Sequence, residues 1–406
     1  MALPRLPFSK LNIERQLASA RDTWSRLKPG VRLSIVALGT AAFGLLLGQG
    51  LAVNLLPPQP EMSPVAVSIA VPAAPTATVS VNVPAPPAGQ PAPSVPTVDN
   101  TAALTQMLNA HIDLHAAPLP SLLGAGQDGM LPRIADDGTE PWRAYSRPQA
   151  PVPAGAAMLA VVIVDAGLSQ TETQPALAAL PGAVDFAYDI YAPNLPDQIT
   201  AARAAGHEVL LDVPMEPETY PVDDPGPDTL LTQLSPDQNL KQLHGFMARG
   251  PGAFALTSSN GNQFVTDESA MAPLLQDLKR RGLGWVDLSM AQASTGSKLA
   301  TQFQLPIAPK QANDVTVLDT VLTQARLQAA LDEAIAHARQ TGSAILLAHT
   351  YPLSVKTLAA FATALPAQNV ALVPVSALLA VPPAADEAPA ATPVASPTNA
   401  QSILKK

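Results

Sequence analysis

From Met158 to Leu379 the chain alternates short apolar runs with amphipathic stretches of about 10–15 residues, the pattern of strands and helices in turn. The predicted strands are Leu159 to Val164, Val184 to Tyr188, Glu208 to Val213, Ala253 to Thr257, Gly284 to Leu288, Val315 to Leu318, Ala344 to Ala348 and Ala371 to Val373. Helices between them have readable starts. Ser235-Pro-Asp-Gln238 has capping-box spacing with proline at the first helical position, and Asp267 can cap the run Met271 to Arg281. About eight strands and seven helices in about 220 residues suit a β/α barrel. No internal repeat is apparent. The first strand runs into Asp165-Ala-Gly167, and strand-end acids of this kind build the reactive face of such barrels.

The rest of the 406 residues is different in character. Residues 1–32 carry seven basic side chains against two acids, and residues 33–56 carry no charge at all. Such a run is long enough to span a bilayer, and the basic flank puts the N-terminus in the cytoplasm. A single-span anchor fits better than a cleaved secretory signal, because the apolar run is long and no Ala-x-Ala site follows promptly. The main domain is then expected on the outer, periplasmic or extracytoplasmic, side.

Residues 57–157 form a Pro/Ala-rich linker and a partly ordered flank: twelve prolines fall between Pro57 and Pro96, which favours extended polyproline-like chain. Within the flank, Thr101 to Ala110 has a helical pattern, whereas Gly124 to Arg133 and Pro148 to Gly155 read as loop. The barrel is expected over 158–380 and a disordered tail over 381–406.

Charge and composition exclude several chemistries. The whole chain carries −9 and its first 32 residues +5, so the remainder carries −14 and is a poor candidate for nucleic acid. With no cysteine there is no disulfide, thiolate metal site or cysteine nucleophile. Neither a Gly-x-Ser-x-Gly elbow, a phosphate-binding loop nor a dinucleotide fingerprint occurs. His111 and His115 would share one face if helical, but they precede the barrel, and two imidazoles alone hold a metal weakly. His207, His244 and His337 are expected to pack or to face solvent.

In order, Ala160-Val-Val-Ile-Val-Asp-Ala-Gly-Leu168, Gly206-His-Glu-Val-Leu-Leu-Asp-Val-Pro-Met-Glu-Pro217, Asp224-Pro-Gly-Pro227, Arg280-Arg-Gly-Leu283, Trp285-Val-Asp287, Gly342-Ser-Ala-Ile345 and Leu372-Val-Pro-Val-Ser-Ala377 resemble the divergent polysaccharide deacetylase family. The resemblance covers about Met158 to Leu379. It implies a deacetylase-like (β/α) barrel related to enzymes that remove acetyl groups from cell-envelope sugars. Such enzymes use a divalent ion to polarise the acetyl carbonyl and activate water, with a carboxylate base and an acid for the departing group.

Carried over residue by residue, the resemblance leaves that ligand set incomplete. The family's first strand ends in a pair of acids where this chain has Asp165-Ala166; Ser259 stands where a histidine belongs, and Asp212 replaces another. No metal ligands are assigned, and a divalent metal would need ligands outside the family pattern. The late histidine is kept as His349.

The candidate catalytic residues are therefore Asp165 as base, His349 as acid and Asp287 orienting one of them, with Asp212, Glu216, Ser259 and Asn260 as candidate substrate contacts. Each has a structural alternative: Asp165 capping a helix, His349 satisfied in place, Glu216 holding its own loop. Three functions remain open: a membrane-anchored hydrolase of acetylated glycans, a catalytically silent barrel that binds a glycan or envelope protein, and a tether whose spacer reaches across the envelope.

Overall fold

A computed structural model of the chain describes residues 99–382, apart from residues 128 and 310. The expected anchor at 33–56, the proline-rich linker and all but the first two residues of the expected tail lie outside the described residues. Among the described residues no helix is long and apolar enough to cross a membrane.

The first described elements are a helix, α1 (Thr101–Leu108), a hairpin of β1 (Leu123–Ala125) and β2 (Met130–Pro132), and a short helix, α2 (Pro141–Ala144). The hairpin lies in a stretch expected to be loop. Its strands are three residues each and include Gly124 and Pro132, so they carry little strand signal of their own and are held by antiparallel pairing. The flank packs as part of the domain. Leu104, Leu122 and Tyr145 are buried in the same cluster as inward side chains of the main sheet. Burying side chains of this size stabilises by about 1.5–3 kcal/mol each, enough to hold the flank in place.

The main sheet begins with β3 (Ala157–Ala166) and proceeds through α3 (Gln170–Ala179), β4 (Asp185–Asp189), α4 (Leu195–Ala204), β5 (Val209–Asp212), α5 (Pro236–Arg249) and β6 (Ala255–Thr257). It continues with α6 (Asn262–Thr266), α7 (Glu268–Arg281), β7 (Gly284–Val286), α8 (Gly296–Phe303), β8 (Ile307–Ala308) and β9 (Val315–Val317). It closes with α9 (Gln324–Thr341), β10 (Ser343–Ala348), α10 (Pro352–Ala364) and β11 (Val370–Leu372). All its strand pairs are parallel, in the order β8-β7-β6-β5-β4-β3-β10-β9, with β11 on the first residues of β3. Among the described residues β8 and β9 are the two ends of that order. The result is a parallel sheet curled into a half-barrel, clad by helices.

The eight predicted strands all occur. The one strand of the main sheet that went unpredicted, β8, is two residues long and follows Pro306, too short for any periodicity to show.

Both faces of the sheet are buried, which is why its strands read as continuous apolar runs rather than alternating ones. Along β3, Leu159, Val161 and Ile163 pack with the helices, whereas Ala160, Val162 and Val164 belong to the cluster on the opposite face. Helix starts follow the sequence. Ser235 and Gln238 form a reciprocal capping box at α5, and the Asp267 carboxylate accepts from the backbone N–H groups of Ser269 and Ala270 at α7.

Candidate functional site

Parallel strands bring their carboxyl ends to one rim. β3 carries a bulge between Ile163 and Ala166, and Asp165 within it adopts φ +53°, a left-handed conformation that aspartate tolerates better than most residues. The turn continues through Gly167 at φ +90°, where a Cβ would come within 2.7 Å of the Tyr188 ring and of Ala192. That local geometry leaves the Asp165 side chain 45% exposed.

Two strands further along the chain end on acids in register, Asp189 of β4 opposite Asp212 of β5. Asp189 accepts from the Tyr191 backbone N–H at 2.6 Å. Asp212 Oδ1 accepts from the Ser259 backbone N–H at 3.0 Å, and its Oδ2 has no partner. Asp212 is buried, and burial pushes its pKa up to about 7; the neighbouring Asp165 and Asp189 charges add to this, against the Ser259 hydrogen bonds. Asp165, Asp189, Asp212, Ser258, Ser259 and Asn260 line a pit of about 200 Å³.

His349 follows β10 and reaches the same rim. Asp319, just beyond β9 and buried, accepts from the His349 backbone N–H at 2.9 Å, bonds Nδ1 at 2.8 Å and accepts from the Ser354 hydroxyl at 2.7 Å. Nε2 is thereby turned toward Asp165, 3.5 Å from its Oδ2. The Asp319 hydrogen bond raises the His349 pKa; burial opposes it, and Asp165 and Asp212 reinforce it. Burial works against ionisation of Asp319, but its bonds to His349 and Ser354 outweigh that and hold its carboxyl below the ordinary range. The arrangement is an imidazole fixed in tautomer and direction, biased toward the cation, facing an accessible carboxylate. Tyr351 stacks on the ring, centroid to centroid 5.3 Å.

The structure thus brings Asp165, His349, Asp212, Ser259 and Asn260 together. Asp287 stands apart, in a separate hollow of about 250 Å³, where it accepts from Ser289 at 2.6 Å and from Ser294. The acid that orients His349 is Asp319. Glu216 ties down its own loop, accepting from the Thr232 backbone N–H at 2.6 Å and the Thr232 hydroxyl at 2.7 Å.

His111 and His115 lie beyond the end of α1 and are exposed, so they share no helix face. His207 is buried with its ring nitrogens on the Val184 and Leu177 carbonyls, while His244 and His337 pair with Asp277 and Asp314. Asp189 and Asp319 are additions to the candidate set. The signal that could have found them is the one used for Asp165, an acid at the end of an apolar strand.

A family model described as divergent polysaccharide deacetylase matches residues 161–379, more than half the chain. The chain belongs to the divergent polysaccharide deacetylase family. Among relatives of this deacetylase-family chain, the uncharacterized protein YibQ of Escherichia coli (strain K12) is 27% identical over 231 residues, which is 57% of this chain and 70% of that one. The crystal structure of the uncharacterized protein ATU2773 from Agrobacterium tumefaciens C58 superposes with a TM-score of 0.57 at 31% identity, covering 62% of this chain and 99% of that one.

The divalent metal that the deacetylase family implies does not fit the residues present. Among the described residues no group of three His, Cys, Asp or Glu side chains is placed to hold an ion. A serine at 259 offers no imidazole.

Proposed function

We propose that this deacetylase-family chain hydrolyses acyl groups, acetyl foremost, on envelope glycans by acid–base chemistry at the half-barrel rim. The observation that carries this reading is His349 Nε2 at 3.5 Å from Asp165 Oδ2, with Nδ1 anchored by Asp319. Asp165 takes a proton from water as its oxygen bonds the acyl carbon. The imidazolium of His349 gives its Nε2 proton to the departing sugar oxygen or nitrogen as that bond breaks, leaving acetate and a free hydroxyl or amine. Asp319 stabilises the imidazolium and, once the proton has left, holds the ring as the Nδ1–H tautomer whose Nε2 takes up the next proton. The expected anchor at residues 33–56 and the spacer behind it would present the domain to the envelope.

Acetate release from acetylated oligosaccharides tests the reading, comparing the native chain with Asp165→Asn and His349→Ala and measuring metal content alongside. Turnover lost in both variants supports it. Equal rates in all three would remove these residues from the chemistry.

A second reading, a barrel that binds glycan without turnover, is favoured by Ser259 at the family's histidine position and by the incomplete ligand set. It expects saturable binding with no acetate release.

A further inference from the structure

A groove away from the reactive pair runs along the exposed face of α5. Gln238, Lys241, Gly245 and Arg249 follow one another at helical spacing and, with Leu234 and Asp228, line a hollow of about 520 Å³. Lys241 and Arg249 are exposed and stand about 12 Å apart along the helix axis. Among the described residues neither is in an ion pair. Between them sits Gly245, in the interior of a helix, where glycine costs about 1 kcal/mol relative to alanine. No packing inside the chain asks for it, since a Cβ there would meet nothing within 4 Å. What the glycine does is keep the floor of the groove open between two cations.

The complement lies on the neighbouring loop. Val222 is 86% exposed, and among the described residues no other large apolar side chain is as bare. Its loop is braced. Pro217, Pro221, Pro225 and Pro227 restrict the backbone, and the Val222 N–H donates to the Thr219 carbonyl at 2.8 Å. Asp223 accepts from the Thr219 hydroxyl at 2.6 Å and Asp224 from the Gly226 backbone N–H at 3.0 Å. These two acids and Glu218 flank the valine, exposed and without an ion pair among the described residues. An apolar side chain already fixed in place loses little freedom on docking.

The chain thus carries both halves of a match: an apolar tip with an acidic collar, and a glycine-floored groove between cations. The loop runs into the edge of the groove at Asp228, so the two patches are neighbours on one surface. Neighbouring complementary patches are satisfied together when a two-fold axis sends each copy's tip into the other's groove.

We propose that this surface pairs two copies of the chain, Val222 of each over Gly245 of the other, with Lys241 and Arg249 opposite Glu218, Asp223 and Asp224. The pairing reaches the reactive rim. The same loop walls a groove of about 710 Å³ that shares Pro225, Ser259 and Asn260 with the pit at Asp212, and no lysine or arginine lines that groove. In the pair the second copy supplies cations to that wall.

Sedimentation equilibrium of the full-length chain in detergent tests the pairing, because its two contacts can be broken separately and restored together. The native chain is expected to dimerise with a Kd on the order of 10 μM, the range of a small and partly polar contact. Raising salt from about 0.05 M to about 0.5 M should weaken it at least tenfold or so. Lys241→Glu with Arg249→Glu should weaken self-association about 100-fold, and so should Glu218→Lys with Asp223→Lys. Mixed in equal amounts, these two variants set acids against cations at both contacts and should regain a dimer within about tenfold of native affinity, which neither forms alone. Gly245→Leu fills the floor and should weaken pairing by about tenfold or more, with the unfolding midpoint unchanged or raised because leucine favours the helix.

A native chain that stays monomeric at about 100 μM, a dimer that survives either pair of charge reversals, or no recovery in the mixture overturns the proposal. Should a charge-reversed variant fail to fold, Gly245→Leu decides, and undiminished pairing there overturns it equally.

Discussion

β4 runs from Asp185 to Asp189, and β5 ends on Asp212 with Glu208 just before its first residue, so the two ends of the half-barrel present the same residue types. At the starting end the acids hold loop backbone in place. Glu208 accepts from the Arg147 backbone N–H, from the Ser376 hydroxyl and from the Ser376 backbone N–H, and Asp185 Oδ2 accepts from the Val375 backbone N–H at 2.6 Å. Burial and the Glu208 charge push Asp185 well above the ordinary carboxyl range, so it is held neutral; its Oδ1, like Asp212 Oδ2, has no hydrogen-bond partner.

Around them the Arg147 guanidinium donates to the Gly206 and Ala110 carbonyls and Arg203 to those of Tyr145 and His115, which clamps the flank to the sheet. At the finishing end Asp212 is also buried, with a pKa moved in the same direction and one oxygen unpartnered, but it lines a cavity. A perturbed carboxyl therefore does not by itself mark a functional site. Whether it lines a cavity beside other reactive groups does.

If the two ends differ in this way, changes at the finishing end should cost turnover and changes at the starting end should cost stability. The largest effect is expected from His349→Ala, which should lower acetate release of the folded fraction by about 10²–10⁴-fold, the usual worth of a positioned acid. Asp319→Asn should also slow the reaction and move the alkaline limb of its pH profile toward acid. The sign follows from the bond to Asp319 being what raises the His349 pKa, so that without it the imidazolium is lost at lower pH. A profile that stays in place in Asp319→Asn would show that His349 is not the proton donor.

Next in size is Glu208→Gln. Removing one partner of a buried, hydrogen-bonded charge cluster typically costs about 3–5 kcal/mol, which urea denaturation would read directly. Acetate release of the folded fraction should be unchanged. If the variant unfolds at the native denaturant midpoint, the starting end is not the clamp described here.

Asp212→Asn should act in the opposite sense on stability. The folded-state pKa of about 7 lies above the ordinary 3.8, so the folded chain holds a proton that the unfolded chain has released; stability falls as pH rises from about 4 to about 7 and stays low above that. Replacing the acid by its amide should raise stability by about 2–4 kcal/mol above pH 7 and by almost nothing near pH 4. A pH-independent gain would mean that Asp212 does not titrate as a buried acid. Such a trade, stability given up at an acid that lines a cavity, is what the comparison of the two ends predicts.

Much of this architecture is legible in the residues, for an identifiable reason. Parallel strands buried on both faces leave unbroken apolar runs, and Ser235 and Asp267 mark helix starts through bonds made within three residues of themselves. Asp165 is visible for the same local reason, as the acid on which an apolar strand ends. Asp319 is not.

Its partner His349 lies 30 residues on, and only the parallel pairing of β9 with β10 brings the two strand ends side by side. Asp287 ends a strand equally well, but its carboxylate is taken up by Ser289 and Ser294 of its own loop. Strand ends announce themselves in sequence; which of them converge is decided by curl and register, which no local pattern encodes.

The smallest expected effect gives the finest discrimination. Asp185 is held in its neutral form by burial and by the Glu208 charge, so Asp185→Asn exchanges one neutral group for another, and the amide oxygen keeps the bond from Val375. The change should cost less than about 1 kcal/mol at neutral pH, against the several expected of Glu208→Gln two bonds away in the same cluster. Urea titrations of the two single variants and the double would separate the roles. If Asp185→Asn proved as damaging as Glu208→Gln, both carboxyls would have to be ionised in the folded chain, with Arg147 and Arg203 balancing two charges rather than one, and the proton held on Asp185 would be absent.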